Sequence, residues 1–95
     1  MHESLDEIER FIINKVRKIR KSKGISQTKL SLAIGKSTTF IADIEAQSKK
    51  AKYNVIHLNL IAIALGCSPK DFLPEIPINE EKYHFIKEIK SHNKS

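Results

Sequence analysis

The sequence predicts an all-α fold, and three features of the chain indicate it. Apolar residues recur at steps of three and four, no stretch keeps a convincing apolar–polar alternation, and Ser or Asn residues stand where helices would begin. The length of 95 residues suits one domain. We expect a helical domain over residues 4–73, followed over residues 74–95 by a proline-containing link and a C-terminal helix that packs on the domain or on a dimer partner.

The first helix is expected to begin at Ser4, because Ser4-Leu5-Asp6-Glu7 has the form of a capping box. Its first turns carry acids and its last turns carry bases, an arrangement that complements the helix dipole at both ends. Gly24 can adopt the left-handed conformation that ends it. One face of this helix is apolar, with Leu5, Ile8, Ile12, Val16 and Ile19.

Two short helices follow the first. Ser26 is placed to cap a helix over residues 27–34, which Gly35 then interrupts. Ser37 is placed to cap a third helix over residues 38–47. The sequence therefore predicts two short helices joined by a tight turn that contains glycine, which is the form of a helix-turn-helix.

Three further segments have clear helix-start patterns. Asn54 can cap a fourth helix that ends at Leu65-Gly66. Ser68-Pro69-Lys70-Asp71 has a capping serine, a proline at the first helical position and an acid at the third, so it predicts a one-turn helix. Asn79 can cap the last helix, with Ile78 and Tyr83 as a hydrophobic staple.

Positive charge is concentrated in the part of the chain that holds the two short helices. The whole chain carries +6. Residues 15–52 contain eleven bases and two acids, a net charge of +9, so the remainder carries −3. Such a local positive field suits a polyanion, although a solvated lysine-rich surface would have the same composition. A helix-turn-helix inside this segment favours DNA, because a helix fits the major groove.

Residues 16–73 resemble the phage-repressor and Cro-like (XRE-type) helix-turn-helix domain, a lambda-repressor-like fold of five helices. The resemblance covers about 58 of the 95 residues. The matching positions, in order along the chain, are Arg20, Gly24-Ile25-Ser26-Gln27, Leu30, Ala33, Gly35-Lys36-Ser37, Ile41, Ile44-Glu45 and Ala62 through Leu65-Gly66. The long N-terminal part of the first helix and the C-terminal helix lie outside it.

The resemblance implies which residues contact DNA. Gln27 stands where the family contacts phosphate and sometimes a base, and Glu45 stands where an acid pairs with the arginine of the first helix, here Arg20. Hydroxyls at the start of the third helix can bond phosphates or bases, Asp43 can accept from cytosine, and the flanking lysines suit phosphates. The expected DNA-contacting residues are Gln27, Thr28, Lys36, Ser37, Thr38, Thr39, Phe40, Asp43, Lys49 and Lys50.

Each of these assignments has a structural alternative. Ser26 and Ser37 can act mainly as helix caps. Asp43 can repel phosphate or pair with a nearby lysine, and Phe40 can pack on the neighbouring helix instead of reaching a thymine methyl or deoxyribose. Lys49 and Lys50 can serve only to solvate a loop. Two departures also affect that loop, since Gln47 and Tyr53 occupy positions where the family often has glycine and proline.

The fourth helix is apolar on two faces, so it requires two partners. The domain core would use the face formed by Val55, Leu58, Ile61, Ala62 and Leu65. The second face, together with a matching stripe on the C-terminal helix, is the predicted dimer or helix-packing surface: Ile56, Leu60, Ile63, Tyr83, Ile86 and Ile89. We expect a homodimer over a monomer, with two recognition helices roughly 34–36 Å apart.

The sequence argues against an enzyme. The four histidines are scattered, the single cysteine has no partner, and no residues show metal-ligand spacing or a phosphate loop, so no cofactor or metal is expected. No apolar run is long enough to span a membrane, and the absence of a signal peptide with one cysteine suits the cytoplasm. The expected function is sequence-specific recognition of operator DNA by a transcriptional regulator, and we expect a repressor in preference to an activator. The alternatives are an antitoxin that binds a toxin partner and its own promoter, and non-specific nucleic-acid binding.

Overall fold

Four α-helices and two 3-10 turns make up the described part of the chain, residues 5–48 and 50–89 of a computed structural model. The α-helices are α1 (Glu7–Ser22), α2 (Gln27–Ala33), α3 (Phe40–Glu45) and α4 (Val55–Leu65), and the 3-10 turns span Pro69–Phe72 and Glu81–Tyr83. These ranges contain no β-strand. The all-α prediction is confirmed, with the first 3-10 turn as the fifth element of the domain.

Helix α1 begins later than its sequence pattern predicted. Asp6 is its N-cap, and the Asp6 backbone N–H donates to Glu9 Oε1 at 2.8 Å. The predicted capping box from Ser4 was therefore wrong as the start of the helix; Ser4 itself lies outside the described residues. Asp6-x-x-Glu9 offers the same capping chemistry as the earlier serine, and Leu5 stays non-helical while its side chain is buried against Ile13 and Ile44.

The main core takes one fully buried side chain from each of the five elements. The contributors are Val16 of α1, Leu30 of α2, Ile41 of α3, Ile61 of α4 and Phe72 of the first 3-10 turn. Helices α2 and α3 pack together, and α1 and α4 pack against each other and against the 3-10 turn. The core thereby fixes α2 and α3 on one side of the molecule.

Helix α3 is shorter than predicted. The expected helix over residues 38–47, capped by Ser37, is replaced by a turn, in which the Phe40 N–H donates to the Ser37 carbonyl at 3.1 Å, and by a helix whose N-cap is Thr39. The Ile41 N–H donates to the buried hydroxyl of Ser31, a tertiary contact that a local sequence pattern cannot predict. At the other end Gln47 has a left-handed φ of 57°, which ends the helix.

The capping predictions for α2, α4 and the first 3-10 turn are confirmed. Ser26 Oγ accepts from the Lys29 N–H at 3.0 Å, and Asn54 Oδ1 accepts from the His57 N–H at 2.7 Å. Ser68 caps the 3-10 turn, and Gly66 ends α4 with a φ of 72°. The core assignment of Val55 was wrong, because Val55 is 81% exposed at the first turn of α4, before that helix reaches the core.

The predicted C-terminal helix is reduced to the 3-10 turn Glu81–Tyr83, and residues 84–89 are not helical. The predicted staple from Ile78 to Tyr83 therefore does not begin an α-helix. A short helix is marginal in water without a surface to pack on, and Ile86 and Ile89 are 61% and 93% exposed. Residues 84–89 therefore lack the tertiary contacts that would stabilise a helix. The predicted fraying after His92 lies outside the described residues.

Candidate nucleic-acid interface

The outer face of α3 and the turn before it carry the polar residues singled out in the sequence. Ser37, Thr38 and Thr39 are exposed in the turn, and Asp43 is exposed one turn further along. On the opposite face of the helix Ile41, Ile44 and Glu45 are buried. The hydroxyls and the carboxylate therefore lie together on the solvent side of an element that the core holds in place.

A buried ion pair joins α1 to α3 directly behind this face. Arg20 Nε donates to Glu45 Oε2 at 2.9 Å, and Arg20 Nη2 donates to Glu45 Oε1 at 2.8 Å. Arg20 Nη1 also donates to the Ile25 carbonyl at 2.7 Å, in the loop before α2. Because the pair is bidentate and nearly excluded from solvent, it fixes the distance and the orientation between three segments.

Gln27 takes part in the same network. Its Nε2 donates to Glu45 Oε1 at 2.9 Å, and its side chain is half-buried. The predicted DNA-contacting residue thus has a structural contact through its amide group, at the start of α2. Thr28, the next residue, is exposed.

Ser31 is a positioning residue that the sequence analysis missed. Its buried hydroxyl donates to the Gln27 carbonyl at 2.8 Å and accepts from the Ile41 N–H at 3.0 Å, so it links α2 to the first turn of α3. Its place four residues after Gln27 is consistent with this back-bonding. The sequence contains no sign of the second contact, because Ile41 lies ten residues away.

Phe40 packs on the neighbouring helix, which was one of its two predicted roles. Its ring meets the His57 ring of α4 edge-on, with centroids 4.9 Å apart, and Lys36 Nζ lies 5.5 Å from the Phe40 centroid. Burial, with a smaller contribution from Lys36, lowers the pKa of His57 below its usual 6.5. The half-buried ring of Phe40 therefore holds the start of α3 against α4.

The predicted phosphate-binding lysines lie at both ends of this face. Lys36 is exposed before the turn, and Lys50 is exposed in the loop after α3. Lys49 lies outside the described residues. Arg17, which the sequence analysis did not select, is 53% exposed and places its Nε 3.8 Å from Glu45 Oε1. It is one turn of α1 before Arg20 and adds positive charge at the edge of the network.

Gln47 explains how the loop after α3 keeps its shape without the glycine common in the family. Its φ of 57° is a conformation that favours glycine. Two side-chain hydrogen bonds to α1 hold it there: Gln47 Oε1 accepts from Arg10 Nη1 at 3.1 Å, and Gln47 Nε2 donates to Asn14 Oδ1 at 2.8 Å. Tyr53 packs at the end of the loop against the main core and against the smaller apolar cluster of Leu5, Ile13 and Ile44. Burial, followed by the charge of Glu45, raises the pKa of Tyr53.

The residues of the predicted dimer surface are not brought together within one chain. Ile56 and Ile63 of α4 are 67% and 71% exposed, while Leu60 packs partly on the core. Tyr83 lies at the start of α1, where its hydroxyl donates to Asp6 Oδ2. Ile86 and Ile89 are exposed beyond it. The second apolar face of α4 thus has no cover from the described C-terminal residues.

Other chemistry has little support among the described residues. Residues 5–48 and 50–89 hold no group of three or more His, Cys, Asp or Glu side chains arranged for a metal ion. None of the helices in these ranges is long and apolar enough to cross a membrane. Burial, and then Asp71, raises the pKa of Cys67, which disfavours the reactive thiolate.

Two short packed helices, with a polar outer face on the second, define a helix-turn-helix DNA-binding fold. The chain matches the model of the Helix-turn-helix family over residues 16–72, more than half of its length, and it belongs to that family. The XRE-type resemblance is confirmed. Members of this family bind DNA in transcription regulation and are generally not enzymes.

Two solved structures share the fold. The restriction-modification controller protein C.AhdI from Aeromonas hydrophila superposes with a TM-score of 0.60 at 21% identity, covering 70% of this chain and 97% of its own. The hypothetical transcription factor NHTF from Neisseria gives a TM-score of 0.64 at 22% identity, covering 90% of this chain and 95% of its own. The comparison with curated proteins finds no match.

Proposed function

We propose that this protein is a sequence-specific, double-stranded DNA-binding repressor that acts on an operator as a homodimer in the cytoplasm. The observation that carries the proposal is the outward placement of Thr38, Thr39 and Asp43 on a segment that the core and the Arg20–Glu45 pair hold rigidly. The two structural relatives, a restriction-modification controller protein and a hypothetical transcription factor, support a regulatory role.

The contacts divide into two classes by chemistry. Thr38, Thr39 and Asp43 face the groove: a threonine methyl can pack on thymine, and the carboxylate can accept from a cytosine amino group. Lys36, Lys49 and Lys50 contact phosphates, which orient the protein without specifying sequence. Gln27, Thr28 and Ser37 can contact either a phosphate or a base. Gln27 and Thr28 begin α2, and Ser37 stands at the start of the turn that leads into α3.

A homodimer would double this interface. Two-fold symmetry would place two copies of α3 roughly 34–36 Å apart, in successive major grooves on one face of the duplex. The exposed apolar residues of α4 and of the C-terminal segment provide surface for such an association.

The division of roles is testable on duplexes selected from a random pool. Thr38→Ala and Thr39→Ala should relax base preference at defined positions, where a mismatched base pair typically costs about 1–3 kcal/mol. Lys36→Ala should weaken binding to all duplexes alike and reduce the slope of log K against log salt by about one. Ser22→Ala, an exposed hydroxyl at the far end of α1, is the control and should change neither quantity.

Three results would contradict parts of the proposal. If the threonine and lysine variants affected every duplex equally, the division of roles would fail. Equal affinity of the wild-type chain for all duplexes would indicate non-specific binding. A tightly bound second protein on co-expression with a neighbouring gene would indicate an antitoxin.

A further inference from the structure

Two exposed apolar surfaces lie on separate parts of the molecule. The first is the outer face of α4, where Val55, Ile56 and Ile63 are between 67% and 81% exposed. The second is at the tip of the segment that follows the first 3-10 turn, which we call the C-terminal arm, residues 74–89. Phe85, Ile86 and Ile89 are between 61% and 93% exposed there. Apolar groups clustered in this way mark surfaces that bind another molecule.

The base of the arm is held in place, although its tip is not covered. Asp6, at the start of α1, accepts from Lys82 Nζ and from the Tyr83 hydroxyl. The Glu7 N–H donates to Glu80 Oε2 at 2.9 Å. These contacts hold the arm at the N-terminal end of α1, and Ile56 and Ile63 of α4 in the same chain stay exposed.

Charge favours contact between an arm and α4 over contact between two copies of α4. The arm carries four acids and two bases, whereas the loop that leads into α4 is basic. Lys36 and His57 of α4 both lie against the Phe40 ring, so a further base stands next to that helix. Two α4 faces meeting each other would bring basic borders together. An arm that contacts α4 places its net negative charge next to the basic residues around that helix, and its apolar tip can cover the apolar face of α4.

We infer that the α4 face binds the C-terminal arm of a second copy of this chain, so that two chains exchange arms reciprocally. This inference rests on the proposed homodimer and specifies which surfaces form it. Phe85, Ile86 and Ile89 of one protomer cover Ile56 and Ile63 of the other, and the exchange is isologous, as a two-fold axis requires. Contact with α4 would also supply the packing that residues 84–89 lack in the single chain.

Cysteine cross-linking of the full-length chain tests this arrangement. In a Cys67→Ala background, one chain carries Ile63→Cys and a second carries Ile86→Cys, and the two are mixed and treated with a short bis-maleimide. The inference predicts a covalent dimer of the mixed pair. Leu32→Cys, an apolar residue of α2 that is 57% exposed, is the matched control and should give no product with Ile86→Cys.

The oligomer mass makes the failure of the inference distinct from failure of the proposed function. Ile63→Glu and Ile86→Glu should each convert the dimer to a monomer, whereas Leu32→Glu should leave the dimer intact. A dimer that cross-links Ile63→Cys to itself and not to Ile86→Cys would overturn arm exchange and leave the homodimer standing. A monomeric wild-type chain would overturn both.

Discussion

Arg17 and Arg20 both approach the carboxylate of Glu45, but only Arg20 is buried with it. Removing Arg20 leaves the buried carboxylate of Glu45 without its bidentate cation and only with Gln27 and the more distant Arg17, so Arg20→Met should lower the free energy of unfolding by about 3–5 kcal/mol. Arg17→Met removes an exposed contact at 3.8 Å and should cost less than about 1 kcal/mol. Urea denaturation of both variants measures the difference.

A double variant distinguishes the cost of leaving one charge unpaired from the net contribution of the ion pair to the free energy of unfolding. Arg20→Met with Glu45→Met removes both charges, so it should be more stable than Arg20→Met alone. Equal stability of the single and double variants would contradict the claim that an uncompensated carboxylate causes the loss.

Gln47 offers a second test at the level of one residue, because its backbone and its side chain act in opposite directions. Gln47→Ala keeps the left-handed φ and loses both hydrogen bonds to α1, so it should destabilise the protein by about 1–2 kcal/mol. Gln47→Gly loses the same bonds but tolerates the backbone conformation, so it should be about 1 kcal/mol more stable than the alanine variant. Thermal unfolding of the two variants that gave equal stabilities would show that the φ of Gln47 carries no strain.

The start of α4 depends on a histidine at the position that usually holds Glu or Gln in a capping box. His57 Nδ1 accepts from the Asn54 N–H at 3.1 Å, which requires a neutral ring. Burial and Lys36 hold the pKa of His57 below 6.5, so between the two pKa values the unfolded chain binds more protons than the folded one. This contribution to stability is complete above about pH 6.5 and is lost as the pH falls through the folded pKa.

His57→Gln should remove this pH dependence, because glutamine can complete a capping box without titrating. Urea unfolding between pH 5 and pH 8 compares the two proteins. The side-chain hydrogen bonds from Lys82 and Tyr83 lower the pKa of Asp6, so that carboxyl loses its stabilising charge in a separate window, only as the pH falls below about 3.8. An unchanged pH profile in the glutamine variant would show that His57 is not the titrating group.

The elements that the sequence predicted well are those whose ends depend on neighbouring residues. Ser26, Asn54 and Ser68 cap their helices through contacts two or three residues away, which a sequence pattern contains. The start of α3 and the C-terminal helix were predicted wrongly because both depend on distant groups. The Ser31 hydroxyl on α2 accepts from the Ile41 N–H of α3, and Asp6 anchors the C-terminal segment from the opposite end of the chain.

The same distinction applies to the candidate site. The family resemblance implied that Arg20 and Glu45 pair, which the structure shows, and that the hydroxyls of residues 37–39 open the recognition helix, whereas they lie in the turn before it. The sequence contains no information on the role of Ser31, on the Gln27 contact with Glu45, or on His57 as the partner of Phe40, because each needs the relative placement of two helices.

For the whole molecule, segregation of charge and of apolar surface points to two kinds of association. The +9 segment contains α2, α3 and the turn between them, while the α4 face and the C-terminal arm expose apolar groups outside that polar turn. One surface therefore suits a polyanion, and the others suit a second protein chain.

The most direct test of the DNA-binding claim is a fluorescence titration of the full-length chain with a duplex selected from a random pool, repeated at several salt concentrations. The account predicts tight binding of the selected duplex, weaker binding of a scrambled duplex, and a steep linear fall of log K with log salt, because lysines beside α3 displace counterions from phosphates. The absence of attraction to any duplex, even in dilute buffer, would contradict it.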